Sequence, residues 1–297
     1  VKKLNRIISD SGAKISGWED VLLVLSEKSQ SEIRINKNLI DLNFIPLVWN
    51  NTWGDGREDM IYKLANQGFK SVMSNSSAFY FDMTDDRDIE NGGLNWSGYV
   101  DYKDTWGTEP LNVFANKVKL NELNIDKNKL FKYKKLKQNS VPNFLGIQSQ
   151  LWTETATDPY QFDRMLMPNL IVFSERAWSP KETWLDEITA EKQKPLLIKS
   201  WSRFVNTVGQ RHLQFLSNNY EEIYFDLPKP GAILDNLTLK ARQQFPGLEI
   251  RYTLNGKKPE KTDQLYTFPV KIKPNDQVIL RVFDSNGRGG NSIKIQK

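Results

Sequence analysis

Residues 146–179 read GIQSQLWTETATDPYQFDRMLMPNLIVFSERAWS. An apolar run ends in Trp152, Glu154 follows two residues later, and helical sequence opens behind them. This order predicts a strand that delivers an indole and a carboxylate to its C-terminal end, where (β/α) folds carry their chemistry. The indole offers a flat apolar face and the carboxylate accepts hydrogen bonds from hydroxyls, a pairing suited to carbohydrate.

The same pattern recurs upstream. KISGW (14–18) and FIPLVW (44–49) are apolar runs that end at Trp18 and Trp49. EDMIYKLANQG (58–68) has helical spacing with Gly68 as its stop, and FKSVMS (69–74) leads through NSSAF to Tyr80 and Asp82. Residues 158–177 read as one helix and 187–217 as a longer helical region. Strand and helix in alternation predict a parallel sheet with covering helices. Trp18, Trp49, Tyr80 and Trp152 then stand at corresponding places in successive units, and in a barrel such places converge on one mouth. Residues 75–142 interrupt the rhythm. Tyr80, Trp96, Tyr99, Tyr102 and Trp106 mark this stretch as an ordered, functional loop rather than a solvated tether.

Near LPKPG (227–231) the periodicity changes from helical to two. In LEIRYTL (248–254) Leu248, Ile250, Tyr252 and Leu254 share a face, and Asn255-Gly256 offers a tight turn. QVILRVF (277–283) and SIKIQ (292–296) alternate as well. Residues 227–297 are predicted to form a small immunoglobulin-like β-sandwich behind an α/β domain over 1–226.

Composition removes several classes of chemistry. The chain has no cysteine, so thiol catalysis, disulfides and cysteine-metal sites are excluded. Its single histidine, His212, sits in a polar helical pattern and is read as structural. The net charge is +5, with one dense basic run, KNKLFKYKKLK (127–137), read as a solvated connection rather than a nucleic-acid site. No apolar run reaches the length of a membrane span. Asp85 and Asp86 are isolated loop acids, no metal cluster is apparent, and no cofactor is implied. The chain opens at Val1 in helix-like sequence and is read as a fragment whose export signal lay upstream.

GWED (17–20), LVWNNTWG (47–54), ANQGFKSVMSN (65–75), FYFDM (79–83), SQLWTET (149–155), MPNLIVFSERAWS (167–179) and RFVNTVGQR (203–211) together resemble the C-terminal portion of the family 20 glycoside hydrolases. These are the β-N-acetylhexosaminidases, and the likeness is greatest to the bacterial chitobiase type. LPKPGA and FPGLEIRYTLNG (245–256) resemble the chitobiase C-terminal domain. The resemblance implies the second half of a (β/α)8 TIM barrel before the sandwich. It also implies removal of terminal non-reducing N-acetylhexosamine from chitooligosaccharides or glycans, by substrate-assisted retaining hydrolysis. Trp18, Trp49 and Trp152 match the tryptophans that enclose the 2-acetamido group, and Tyr80 matches the tyrosine that orients it. Asp82 and Glu154 match carboxylates that bind sugar hydroxyls, and Trp96, in GGLNW, is placed like an aromatic that stacks on the next sugar.

The family's catalytic Asp-Glu pair belongs before GWED and is not found in this chain. The expectation is therefore a sugar pocket without hydrolase activity of its own, whose partner is the missing N-terminal half, in a periplasmic, envelope or secreted bacterial protein. Glu19 and Asp20 are expected at a helix N-terminus, and Glu175, Arg176 and Trp178 in a buried ion pair or helix packing. Two alternatives stay open. One is a non-catalytic carbohydrate-binding or scaffold protein derived from such an enzyme. The other is a retaining glycosidase that uses Asp82 and Glu154 as its own pair.

Overall fold

The structure, a computed structural model, describes residues 1–26, 29–42, 44–87, 92–219 and 223–295. Asn43, just before FIPLVW, and Gln296, the last residue of SIKIQ, lie outside the described residues. The chain forms two compact units, Val1–Ala156 with Val172–Leu196, and Thr157–Ile171 with Leu197–Lys297.

In the first unit the strands are β1 (Ser16–Trp18), β2 (Leu23–Ser26), β3 (Ser29–Ile35), β4 (Ile45–Val48), β5 (Ser71–Met73) and β6 (Phe144–Ile147). Helix α1 (Lys2–Ser9) precedes them, and α2 (Met60–Asn66), α3 (Ser76–Phe79), α4 (Tyr102–Gly107) and α5 (Lys117–Glu122) lie between them. β1, β4, β5 and β6 form a parallel sheet in that order, and β2 and β3 pair as an antiparallel hairpin. Sequence neighbours are spatial neighbours in the parallel sheet, so all its C-terminal ends lie on one side.

Helix α2 buries Met60, Ile61, Tyr62, Leu64 and Ala65. With apolar residues around most of its circumference it is a core element rather than a surface one. It stops at Gly68, whose φ of +101° suits glycine. There Phe69 N–H reaches back to Leu64 O at 3.1 Å. Phe44, Val48, Phe69, Met73, Phe79 and Phe114 complete the core with it, each contributing about 1.5–3 kcal/mol of apolar burial. The basic run 127–137 is pinned along α2 rather than freely solvated. Tyr133 Oη donates to Glu58 Oε1 at 2.9 Å, and Lys134 N–H donates to Asp59 Oδ2 at 2.6 Å.

Tyr62 fixes the long connection from inside. Its hydroxyl donates to Pro110 O at 2.9 Å and accepts Val113 N–H at 2.8 Å, and burial pushes it well above the usual tyrosine range. Tyr62→Phe is expected to destabilise the first unit by about 1–3 kcal/mol by orphaning both groups, which urea unfolding measures.

The second unit departs from the sequence reading in two helical places. Residues 158–177 are two helices, α6 (Pro159–Leu166) and α7 (Asn169–Trp178, whose later part belongs to the first unit), because Pro168 lacks the amide hydrogen a continuous helix needs. The later region runs as α8 (Ala190–Thr207, whose start up to Leu196 belongs to the first unit), a wide π turn at Val208–His212, and α9 (Leu213–Asn219). A Cβ on Gly209 in that turn would fall 2.0 Å from Pro246 O, so the widened turn lets two backbones touch. His212 is exposed there.

The remaining strands are β7 (Gly231–Asp235), β8 (Thr238–Arg242), β9 (Glu249–Thr253), β10 (Gln264–Leu265), β11 (Val270–Lys271), β12 (Ile279–Phe283) and β13 (Gly289–Lys294). They form two antiparallel sheets, ordered β10-β9-β12-β13 and β11-β8-β7. Ile250 faces Val282 and Tyr252 faces Leu280 across β9 and β12, all four buried, as the alternation required. Asn255-Gly256 does not close a hairpin, since β9 ends at Thr253 and β10 begins at Gln264. The tight turn lies instead between β7 and β8, where Asn236 and Leu237 take φ of 46° and 57°.

Candidate functional site

The C-terminal strand ends carry the aromatic residues. Trp18 is the last residue of β1, and Trp49 follows directly after β4. Tyr80 follows α3, just beyond β5. Trp152 lies five residues past the end of β6 rather than at it. What carries it there is a resumed ladder. Gln150 N–H donates to Phe79 O at 3.1 Å and Phe81 N–H to Gln150 O at 2.8 Å, so Tyr80 and Gln150 form an isolated parallel bridge. Ser74 Oγ hydrogen-bonds Gln150 Oε1 and closes the gap.

Trp96 reaches the same place by a different route. Leu94 N–H donates to Asp82 O and Thr84 N–H to Leu94 O, both at 2.8 Å, which folds the loop back over residues 82–84. Gly93 makes this approach possible, because a Cβ there would lie 2.6 Å from Asp82 O. Beside Trp96, Ser97 Oγ meets Ser76 Oγ at 2.7 Å, fixing the loop to α3.

The rings form an arc. Trp18 and Trp152 have centroids 6.0 Å apart, Trp152 and Tyr80 6.3 Å, Tyr80 and Trp96 5.9 Å, and Trp96 and Trp49 5.6 Å. Together with Asp20, Asp82, Leu94 and Glu154 they line a cleft of about 450 Å³, a volume suited to a small organic ligand. All seven sequence-derived site residues, Trp18, Trp49, Tyr80, Asp82, Trp96, Trp152 and Glu154, thus border one cleft. Asp20 and Leu94 border it too and were not assigned from sequence.

Asp82 is 1% exposed; its Oδ1 accepts Trp152 N–H at 3.3 Å and its Oδ2 has no partner among the described residues. Burial pushes its carboxyl up to about 6, the Trp152 N–H opposing and the Glu154 charge adding. Burial likewise pushes the Tyr80 hydroxyl up, with Glu19, Asp82 and Asp20 adding and a hydrogen bond with the Trp152 side chain opposing, so it stays protonated and able to donate. Glu154 is exposed at the rim.

Glu19 and Asp20 open a short 3₁₀ turn, where the Glu19 carboxylate meets its own backbone N–H, and both side chains also reach across to Trp49. Arg176 is buried and donates to Ser179 O and Pro180 O at 3.0 Å, so it satisfies carbonyls beyond the end of α7 rather than pairing with Glu175. Trp178 is 90% exposed, contrary to the packing expected of it. Among the described residues no group of three or more His, Cys, Asp or Glu side chains could hold a metal ion, and no helix is long and apolar enough to cross a membrane.

Fold and cleft together define an α/β protein with an open cleft at the C-terminal edge of a parallel sheet, between aromatic walls and carboxylates. The family model described as glycosyl hydrolase family 20, catalytic domain, matches residues 1–181, and that of the chitobiase/β-hexosaminidase C-terminal domain matches residues 217–292. The chain belongs to glycosyl hydrolase family 20. It is 27% identical to a β-hexosaminidase of Vibrio vulnificus over 99% of this chain and 35% of that protein. With the N,N'-diacetylchitobiase of Vibrio harveyi it shares 25% identity over 96% of this chain and 31% of that protein. It therefore spans about a third of the length of these curated relatives. A solved Streptomyces plicatus N-acetyl-β-hexosaminidase aligns with a TM-score of 0.47 at 19% identity, over 75% of this chain and 34% of that one.

Proposed function

We propose that the protein containing this chain is a chitobiase-like β-N-acetylhexosaminidase that removes terminal non-reducing N-acetylhexosamine by substrate-assisted retaining hydrolysis. The observation that carries this is the arc of five rings around a cleft also lined by Asp82, whose buried Oδ2 has no partner among the described residues. Apolar ring faces suit the C–H faces of a pyranose and the methyl of an acetamide. Asp82 and Glu154 accept its hydroxyls, and Tyr80 donates to the acetamide oxygen.

In this mechanism the acetamide oxygen attacks the anomeric carbon as the glycosidic C–O bond breaks. The leaving oxygen takes a proton from a Glu, while a neighbouring Asp stabilises the cyclic oxazolinium ion. Water then opens the ring with retention. Tethering the nucleophile to the reacting sugar supplies most of the advantage, provided its orientation is held. Trp18, Trp49 and Trp152 press the acetamide against the ring and exclude water. The Asp-Glu pair is supplied by a segment outside this chain, so these residues alone bind sugar without turnover.

The proposal extends to the architecture. β1, β4, β5 and β6 are half of an eight-stranded barrel in a domain over 1–226, and residues 227–297 are an immunoglobulin-like sandwich. The protein acts in the periplasm, at the envelope or outside a bacterial cell.

A chromogenic N-acetylglucosaminide assayed with this chain alone, with the chain plus the upstream half, and with the full-length protein tests the reading. Turnover is expected only in the last two. Turnover by the lone chain that Glu154→Ala abolishes overturns the placing of the acid. A full-length protein that binds N-acetylglucosamine yet never hydrolyses it favours the non-catalytic binding protein instead.

A further inference from the structure

We propose that Glu19 and Asp20 are positioning residues that clamp Trp49 in the cleft wall, Glu19 through two backbone N–H groups and Asp20 through the indole N–H. The clamp deepens the sugar-cleft reading and rests on it for its effect on substrate, though not for its geometry.

The last paired residue of β4 on the β1 side is Leu47, opposite Trp18. Beyond Val48 the N–H groups of Trp49 and Asn50 have no strand to meet. Glu19 Oε2 accepts the first and Oε1 the second, each at 3.1 Å, from a side chain with 0% exposure. Asp20 Oδ2 accepts Trp49 Nε1–H at 2.7 Å. Trp49 O accepts Ser76 N–H at 3.0 Å. Both backbone polar groups of Trp49 and its indole N–H are thus engaged, and the ring is held edge-on to Trp96. Trp49 is only partly buried, so water could have served its indole N–H; a carboxylate placed there by another strand end serves it instead.

A carboxylate serves two N–H donors best as an anion, since charge-assisted bonds are roughly twice as strong as neutral ones. The groups facing Glu19 are few. Asp20 on its own turn adds negative charge, the Tyr80 hydroxyl lies within electrostatic reach, and Arg57 Nη1 stands 3.7 Å from Asp20 Oδ1. Burial is the main cause that pushes Glu19 from 4.5 up to about 7, and Asp20 adds to it. Between those values the folded form holds a proton that the unfolded form releases. Fold stability from this group therefore falls as pH rises through the window, while the grip on Trp49 tightens. The clamp is retained at a cost to the fold, as expected of a functional constraint.

The test uses the full-length protein labelled with 5-fluorotryptophan, the Trp49 resonance being assigned with Trp49→Phe. Without sugar, the Trp49 ¹⁹F signal is expected to titrate with a midpoint near 7 in the wild type, within about pH 6 to about pH 8, and to stay still in Glu19→Gln. Glu19→Gln and Asp20→Ala are each expected to raise KM for an N-acetylglucosaminide about tenfold, with a much smaller change in kcat. Glu19→Gln should also lose the pH-dependent limb near 7, which Asp20→Ala keeps. A Trp49 signal that moves identically in Glu19→Gln, or a Trp49 signal and KM left unchanged in both Glu19→Gln and Asp20→Ala, overturns the clamp. If Glu19→Gln does not fold, the Trp49 signal and KM of Asp20→Ala decide, and the clamp is overturned if neither changes. Because the Trp49 titration needs no substrate, it reads the clamp even if the protein hydrolyses no hexosaminide.

Discussion

Asp82→Asn is expected to make the protein more stable and far less active. The wild-type carboxyl is pushed from 3.8 up to about 6, chiefly by burial, and its Oδ2 has no partner among the described residues. From 3.8 to about 6 the folded protein holds a proton that the unfolded chain releases, so this group lowers fold stability as pH rises through that window. Above it the penalty is complete, at about 1–2 kcal/mol after discounting for water in the open cleft. Asparagine carries no charge, and its Oδ1 can still accept Trp152 N–H. A rise of a few degrees in Tm at about pH 8 is the expected calorimetric result. Under the proposed role the same substitution places a donor where a sugar hydroxyl needs an anionic acceptor, lowering kcat/KM for an N-acetylglucosaminide by about 10–10²-fold. The wild type should lose affinity as pH falls through about 6, and the variant should lack that limb. A variant that is less stable, or that keeps wild-type affinity, removes Asp82 from the site.

The opposed signs explain part of what was legible in the sequence. Trp18, Trp49 and Tyr80 were readable because each follows a short apolar run, and a parallel sheet in chain order sends all such ends one way. Asp82 was readable from its place beside Tyr80. Its burial was not, because that depends on a loop returning over it through Gly93. Asp20, two residues past Trp18, is expected at a helix N-terminus rather than in the cleft, because its partner, the Trp49 indole, lies 29 residues away in sequence. The break at Pro168 was visible in the chain, yet apolar periodicity on both sides argued for one helix. The β7–β8 turn hid for the opposite reason. Leu237 takes a positive φ that β-carbon residues avoid, so no Asn-Gly or Asp-Gly signal marks it. Local pattern carried the strands and the cleft's aromatic lining, and long-range pairing set everything between them.

Trp152→Ala should have the largest effect on function of any single change in the arc. Trp152 stands between Trp18 and Tyr80, so its loss opens the arc in its interior. Its side chain also hydrogen-bonds Tyr80, while its backbone N–H, which the substitution keeps, holds Asp82. One residue thus touches an aromatic wall, the proposed acetamide donor and the buried carboxylate. At 39% exposure it contributes less to the core than Phe79 or Met73, so stability should fall by only about 1–2 kcal/mol. Under the proposed mechanism kcat/KM should fall about 10²–10³-fold, comparable to truncating an interface hot spot, and kcat should fall with it because Tyr80 loses its orientation. Trp96 offers the contrast. It is 48% exposed on the returning loop, so Trp96→Ala should spare a monosaccharide glycoside and weaken a disaccharide by about tenfold, the value of one lost stacking surface. Steady-state kinetics on N-acetylglucosaminides of one and two sugars separates the two variants. Equal losses for both substrates in both variants contradict an arc in which Trp152 encloses the first sugar and Trp96 receives the second.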